Sequence, residues 1–535
     1  MEETALEMVQ RMLGEGKSTE QIRDALSGLP QQETALPILP SGQPTATSPL
    51  VAARTGQTAM AAPPGALARA LASLGVAPQA GPTFRGYTAP DIIPLSKVAS
   101  MVQPKSGWIA IVLTCLVPTL ALSFDSPDRY ANLSYALLTL GDISGIIGLV
   151  LYVWGLVLST RIGLVENMFG GLNRVYVSHA IVGSASLMIL LMHPFFSAAS
   201  YYEYGLAVVA HFFVPQLAYI GSAFGIIALI TMIVLLVLTL FVKLAYKLWL
   251  STHRLLGVVY LLIALHIILT PNQVMRDHNM AAFMYGTLIV GALAYIYRTL
   301  MPDVFVRRYL YTIQSAVPKA SNVVEVTLQP VGKAIHFKPG QFIFLSVNSD
   351  KVTREWHPFS VASADTSKSL TLDIRSLGAY TESLNKLLPY LVGSTVRVEG
   401  AYGRFSYRNF GNVNQVWIAG GIGITPFLSM AQALGNGPYN IDLYYTVKNN
   451  SELIDLEKLA AHQSRRPGQA FRVFPYINDR YGNHLSATFI DQHTGNLPAH
   501  DFLLCGPPAM MRSVTSQLVK MGVPEQHIHS EEFGF

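Results

Sequence analysis

Between residues 107 and 299 the chain passes through six apolar stretches, near 107–124, 141–160, 175–197, 218–243, 254–271 and 280–299. Each is close to the roughly 20 residues a helix needs to cross a bilayer. In hydrocarbon, every backbone polar group must be bonded within its own segment, so stretches of this length can only be helices. A shorter apolar run at 205–217 is expected to lie on the surface before the fourth span. Charged residues make up 13% of the chain, against roughly 25% in soluble domains. Arg161, Arg174, Lys243, Lys247, Arg254, Arg298, Arg307 and Arg308 fall on one side of the set, and Asp125, Asp128, Glu203, Arg276 and Asp277 on the other. The positive-inside rule then predicts cytoplasmic termini. The net charge of +5 is modest, and no basic run or motif points to nucleic acid. The acidic, polar start of the chain predicts no secretory signal.

Four histidines sit inside these spans. His179 and His193 are fourteen residues apart on the third, which places them ~21 Å apart along an ideal helix with an angular offset of only ~40°. His253 and His266 are thirteen apart on the fifth, where an ideal helix offsets them by ~140°. A π-bulge or irregular start near Ser251-Thr252 would be needed to turn both inward. In His179-Ala-Ile-Val-Gly183 and His253-Arg-Leu-Leu-Gly257, a glycine follows the first histidine by four residues, leaving room for a flat macrocycle against the backbone. Both spans run from inside to outside, so His179 faces His253 at an inner level and His193 faces His266 at an outer one. Two such pairs suit two bis-histidine haems. The competing reading is helix packing or a proton path. His211 and His278 lack such pairing and are expected in loops or at the interface. The chain has two cysteines, Cys115 and Cys505, too few for an iron–sulfur cluster, and it lacks a Cys-x-x-Cys-His haem attachment site.

After residue 302 short alternating strands run to about 407, as in a small antiparallel barrel. From 414 onward strands and helices alternate, with Val416–Ala419, Ile441–Thr446, Phe471–Pro475 and Phe502–Leu504 as strands, an α/β nucleotide-binding pattern. Within the barrel, His357-Pro358-Phe359-Ser360 can pack a flavin ring and give it a hydroxyl. Arg375, Gly378 and Thr381 offer a cation, a turn and a hydroxyl to a pyrophosphate. Gly420, Gly421, Gly423, Thr425 and Pro426 form a glycine-rich turn between strand and helix, where phosphate is favoured. Cys505-Gly506-Pro507 follows a later strand and can flank a nicotinamide at the hydride-transfer position. Lys448 could hold a 2′-phosphate, which would favour NADPH over NADH, although an exposed lysine is more often a solvated charge. Phe533, or else Phe535, could cover the flavin until nicotinamide displaces it.

Residues 1–29 read as a helical hairpin with a capping-box spacing at Ser18–Gln21, suited to docking a protein partner or dispensable. Residues 30–104 read as a Pro/Ala-rich disordered linker. The domains are then 105–300 in the membrane, 301–410 for flavin and 411–535 for NAD(P)H. No EF-hand-like loop is visible.

From about residue 107 to 535 the sequence resembles the NADPH oxidase and ferric reductase superfamily. The resemblance rests on the histidine spacings, His357–Ser360, the Gly420–Pro426 run and Cys505–Pro507. It implies a multi-domain membrane protein: a six-helix transmembrane haem bundle, then an antiparallel β-barrel FAD domain and an α/β nucleotide-binding domain. It implies FAD, two b-type haems and NADPH or NADH. It also implies that the thirteen-residue spacing on the fifth span is a family feature. Relative to the animal oxidases, Ser197 stands where a further outer histidine would be. The second span carries no charge in its core, which leaves Arg129 as the nearest candidate for their outer-haem arginine. The expected activity is that of a transmembrane NAD(P)H oxidase of prokaryotic type, in the plasma membrane, producing superoxide from dioxygen. Reduction of ferric or cupric chelates is the alternative. A transporter or sensor with proton-carrying histidines is a third reading, of a different class.

Overall fold

The computed structural model describes residues 106–531 apart from 271–273, 321, 348–354, 436 and 467–468. The expected hairpin, the linker, Phe533 and Phe535 lie outside the described residues. Six described helices are long and apolar enough to span a membrane. The first is Ser106–Phe124, the second Leu133–Ser159, the third Leu172–Ala199 and the fourth Ile220–Leu240. The fifth is divided into Tyr246–Arg254 and Leu256–Leu269, and the sixth, His278–Tyr295, continues as a π turn over Ile296–Leu300. The expected surface piece after the third span is a short helix, Leu206–His211. The second helix starts eight residues before the expected 141, because the Asn132 side chain accepts the Tyr135 N–H at 2.9 Å and fixes its start.

The outward faces are apolar, with Ile109, Leu116, Ile230, Leu261 and Ile289 all exposed, as lipid contact requires. Hydroxyls within the spans turn back onto their own helix, as with Thr114 onto the Ala110 carbonyl at 2.8 Å and Ser144 onto Leu140 at 2.7 Å. Helix association in lipid depends on close packing rather than on a hydrophobic driving force. The second helix therefore meets the third along Gly141, Gly145 and Gly148, where an added Cβ would lie 2.6–2.9 Å from Ser197, His193 and Leu190.

Beyond the bundle comes a six-stranded antiparallel sheet: β1 (Arg308–Ala320), β2 (Val323–Pro330), β3 (Phe342–Val347), β4 (His357–Ser360), β5 (Leu370–Arg375) and β6 (Thr395–Tyr402). The order is β4-β3-β6-β1-β2-β5, and a bridge from Val361 to Leu372 closes one end into a half-barrel. A second sheet holds β7 (Asn414–Gly420), β8 (Asn440–Val447), β9 (Ser464–Arg466), β10 (Gln469–Ile477), β11 (Asp501–Cys505) and β12 (Ile528–Glu531). Its order is β12-β11-β7-β8-β10-β9, parallel throughout except for the β9–β10 hairpin.

The short helix Gly163–Phe169, after the second span, carries Glu166, whose carboxylate accepts the Gly403 N–H at 2.7 Å. Glu531, at the end of β12, packs beside Gly403. Burial, reinforced by Glu166, pushes the Glu531 carboxyl up to about 8 from 4.5. The folded protein therefore keeps a proton there that the unfolded chain releases. The stability this contributes is whole below about pH 4.5 and is lost as pH rises to about 8. Glu531→Gln is expected to flatten the fall of the thermal midpoint between about pH 5 and 8, read by differential scanning fluorimetry; an unchanged slope contradicts it. Gly257→Leu is expected to cost about 1–3 kcal/mol by overpacking, because a Cβ there would lie 2.0 Å from the Tyr295 ring. A lowered thermal midpoint in detergent would show it.

Candidate functional site

The bundle brings the four histidines together in the expected pairs. The ring centres of His179 and His253 are 5.9 Å apart, and those of His193 and His266 are 6.2 Å apart. Three of the rings are held from behind by backbone carbonyls of neighbouring helices. The Nδ1–H of His179 donates to Gly155 at 2.9 Å, that of His193 to Gly141 at 2.7 Å and that of His266 to Gly221 at 3.0 Å. A carbonyl can only accept, so Nδ1 carries the proton and Nε2 keeps its lone pair for the interior. His253 is held differently: its ring stacks on Trp249 at 5.3 Å, and its Nδ1 is buried without a hydrogen-bond partner.

The fifth span brings both histidines inward with a break at Leu255, between its two helical segments and three residues after the expected Thr252. Leu255 N–H bonds back to Thr252, and Val258 N–H bonds to Leu255, so the second segment starts on a new phase. The two matched glycines differ. A Cβ on Gly183 meets nothing within 4 Å, leaving the open space expected, whereas Gly257 packs against Tyr295. The expected role of Gly257 beside a macrocycle is therefore replaced by one in packing the fifth helix on the sixth. Gly155 serves the His179 ring through its carbonyl, and the outer rings are served by Gly141 and Gly145 on the second helix and Gly221 and Gly225 on the fourth. In each pair the first accepts the imidazole N–H. A Cβ on the second would lie 2.9 Å from His193 Nδ1 or 2.7 Å from His266 Nδ1. The Gly-x-x-x-Gly spacing was visible in the sequence, but its use by a histidine on another helix was not.

At the far end of the bundle Arg129 is bidentate to Asp125, at 2.5 and 2.7 Å, and 3.6 Å from Asp142. Asp142 is a charge inside the second helix, one residue from Gly141; the sequence reading looked for charge only in the core of that span. The arginine holds the Asp125 carboxyl below its usual range. His211 and His278 are exposed at helix ends, apart from both pairs.

In the first sheet, His357, Pro358, Phe359 and Ser360 form β4 itself. The His357 ring lies parallel to Tyr380 at 3.7 Å, and its Nε2 is 3.1 Å from Glu355. Burial lowers the His357 pKa despite that carboxylate. Arg375 ends β5, and its Nε is buried with no partner, as is the Tyr380 hydroxyl. Gly378 starts the helix Ala379–Leu387. The Thr381 hydroxyl is already engaged: it accepts the Leu377 and Gly378 N–H groups at 2.9 and 3.1 Å and donates to the Gly378 carbonyl. Its contribution is to shape the turn rather than to offer a free hydroxyl.

Gly420 ends β7, Gly421 and Gly423 form the turn, and Thr425 and Pro426 open the helix Thr425–Gln432. The sheet order reverses between β7 and β11, and ligands of such sheets bind at that switch point. Both glycine loops converge there. A Cβ on Gly506 would lie 2.9 Å from Gly420 Cα, and one on Gly420 would lie 2.8 Å from Pro507. Gly421, at φ +54°, has an Arg375 guanidinium nitrogen 3.2 Å from where its Cβ would be, so the two sheets meet at one cleft. Cys505 is fully buried, and burial raises its thiol pKa well above the usual value. The thiol therefore stays protonated at neutral pH. Lys448 is exposed just after β8, on the same edge of the sheet.

Three known families match the chain in succession. "Ferric reductase like transmembrane component" matches residues 144–264, "FAD-binding domain" 309–406 and "Oxidoreductase NAD-binding domain" 417–516. The ferredoxin–NAD(P)+ reductase component of the naphthalene 1,2-dioxygenase/salicylate 5-hydroxylase systems of a Ralstonia species is 25% identical over 41% of this chain and 67% of its own length. The anthranilate 1,2-dioxygenase electron transfer component of Acinetobacter baylyi is 29% identical over 38% of this chain and 59% of its own. Ferric reduction oxidase 5 of Arabidopsis thaliana is 27% identical over 35% of this chain and 30% of its own. The chain thus spans about three-fifths to two thirds of the bacterial relatives and under a third of the plant one. Among solved structures, an Amycolatopsis cytochrome P450 reductase aligns with TM-score 0.37 and 23% identity, over 43% of this chain and 70% of its own. With membrane, flavin and nicotinamide domains in this order on one chain, the protein matches the domain architecture of the NADPH oxidase and ferric reductase superfamily.

Proposed function

We propose that this chain carries electrons from NAD(P)H through FAD and two bis-histidine b-type haems to an acceptor on the far side of the membrane. Dioxygen, giving superoxide, is the acceptor of first choice. The observation that carries the reading is the two facing imidazole pairs, with the Nδ1 atoms of His179, His193 and His266 turned to backbone carbonyls of neighbouring helices. Two imidazoles bound about 2 Å from one metal have ring centres roughly 6 Å apart, against the 5.9 and 6.2 Å found. His179 and His253 would hold an inner haem beside the open space at Gly183, and His193 and His266 an outer one. In the flavin domain the buried, unpartnered Arg375 Nε and Tyr380 hydroxyl fit a missing anionic and ring-bearing group. When bound, FAD would take one hydride with its electron pair, and each haem would pass electrons singly.

The chain's own residues bind and orient. His357–Ser360 and Arg375 would hold the flavin, with Thr381 keeping the Gly378 turn in shape. Gly420, Gly421, Gly423, Thr425, Pro426, Gly506 and Pro507 would cradle the nicotinamide nucleotide, Lys448 would meet a 2′-phosphate, and Cys505 would close the cleft from below as a neutral thiol. Phe533 or Phe535 would cover the flavin in the resting state. Positive residues at the sheet end of the bundle support the reading that both sheets and both termini lie in the cytoplasm of a prokaryotic-type cell. A docking partner for residues 1–29 belongs to this proposal.

Reduction of ferric or cupric chelates is the second reading, favoured by the ferric reductase match and the likeness to the plant ferric reduction oxidase. A proton-carrying role for the histidines is disfavoured, because three of the four Nδ1 protons are committed to backbone carbonyls.

Stopped-flow spectroscopy separates the acceptors. NADPH is added without oxygen to FAD-supplemented protein, and oxygen is then admitted with a superoxide trap. Rapid reoxidation with trap signal is expected; slow reoxidation by oxygen but fast reoxidation by a ferric chelate supports the second reading. Leucine in place of any one of the four histidines is expected to remove about half of the haem, and unchanged haem in all four variants contradicts the ligand assignment. Gly145→Val or Gly225→Val is expected to lose the outer haem while NADPH still reduces the inner one. Equal loss of both would show that these glycines serve the whole bundle instead.

A further inference from the structure

Where the first sheet meets the membrane bundle, one carboxylate gathers three arginines. Glu399 on β6 is 1% exposed. Its Oε1 accepts from Arg298 at 2.9 Å, from Arg161 at 3.4 Å and from the Tyr402 hydroxyl at 3.0 Å, and its Oε2 is 3.7 Å from Arg308. Arg161 follows the second membrane helix, Arg298 lies in the π turn that ends the sixth, and Arg308 opens β1. Burial alone would raise the carboxyl pKa, but Arg298 and Arg161 outweigh it and hold it below the usual range. A buried ion held this way is costly to leave unpaired, so the charges fix where the sheet sits on the bundle.

The hub is linked by contacts to both halves of the proposed electron path. Glu399 pairs across strands with Phe344, and Phe344 pairs with Pro358 in β4. The Arg161 guanidinium lies 3.8 Å over the Phe344 ring, and that of Arg308 lies 4.7 Å over Trp356, the residue before His357. On the membrane side, Gly155, which holds His179 through its carbonyl, precedes Arg161 by six residues, ~9 Å of helix. Arg161 itself has φ +59°, a conformation that a non-glycine residue keeps only where its surroundings impose it. One side chain thus ties the helix whose Gly155 holds His179 to β6 and to β3, the strand beside β4.

We propose that Glu399 is a positioning residue for electron transfer from the flavin domain to the inner histidine pair, acting through Arg161, Arg298 and Arg308. The proposal rests on the haem reading above. In each transfer a haem held by the inner pair would gain the one electron that a bound reduced flavin would lose, NAD(P)H having supplied two as hydride. Hydride transfer, at the β7–β11 cleft, does not involve the hub.

The test compares the holoenzyme with Glu399→Gln and Glu399→Asp by anaerobic stopped flow, reading flavin and haem bands separately. Hydrogen exchange is followed over 395–402 and 156–162. Glu399→Gln is expected to leave flavin reduction by NADPH within about twofold, to slow haem reduction at least about tenfold and to raise exchange in both segments. Glu399→Asp, which keeps the charge, is expected to recover part of the rate. Arg298→Gln serves as a second variant with the same expected split if Glu399→Gln does not fold. Haem reduction at the parent rate, or equal slowing of flavin and haem, overturns the proposal, as does unchanged exchange. If the parent binds no haem, the haem reading fails on its own, and the exchange data still decide whether Glu399 fixes the docking.

Discussion

An imidazole in the middle of a membrane has two polar nitrogens and no water, so the bundle depends on where each Nδ1 proton goes. For His193 and His266 the answer is the same: a glycine carbonyl one helix away, with a second glycine one turn further on clearing space for the ring. The second and third helices build this arrangement, and the fourth and fifth repeat it. The close approach of helices in each pair, the direction of each ring and the free lone pair on Nε2 all follow from that one bond. The inner level is less symmetrical. His179 has its carbonyl in Gly155, while His253, just before the break at Leu255, relies on the Trp249 ring.

The same helix carries the geometry out of the membrane. The second helix supplies Gly141 about a third of the way along and Gly155 near its end, and the chain then turns at Arg161 into the buried charges around Glu399. From there the register of β6, β3 and β4 leads to the flavin strand, and Arg375 and Gly421 join that domain to the nucleotide cleft. Each junction is made by a charged or hydrogen-bonded group that would be expensive to bury alone. The relative placement of the domains is therefore set by a few specific polar contacts together with apolar clusters that cross each junction, Phe342 and Phe344 packing with Phe169 and Val175 of the bundle and Phe405 with Trp417 and Phe427.

Features that are periodic or local along the chain were legible in the sequence. Six runs of apolar residues can only be spans, the fourteen-residue histidine spacing stays on one helix and the thirteen-residue spacing within one span, and the Gly420–Pro426 turn follows a β-strand pattern and precedes a helix. The features that were not legible join residues far apart. Gly141 belongs with His193, 52 residues on, and Arg161 with Glu399, 238 residues on; no spacing rule reaches so far. Gly257 was misread because a glycine beside a histidine suits a macrocycle as well as it suits Tyr295. The Thr381 hydroxyl was offered to a ligand because its sequence does not show that the Gly378 turn already uses it. The second helix begins early at Leu133 because a capping side chain, not hydropathy, sets its start.

The central claim is that the two imidazole pairs are the axial ligands of two haems in series. The most direct measurement is haem and flavin stoichiometry on the purified chain, by pyridine haemochrome assay with low-temperature electron paramagnetic resonance. The account predicts two low-spin, bis-histidine b haems per chain, both reduced by NAD(P)H only when FAD is present. A chain that folds with no haem, or with a single five-coordinate haem, contradicts it.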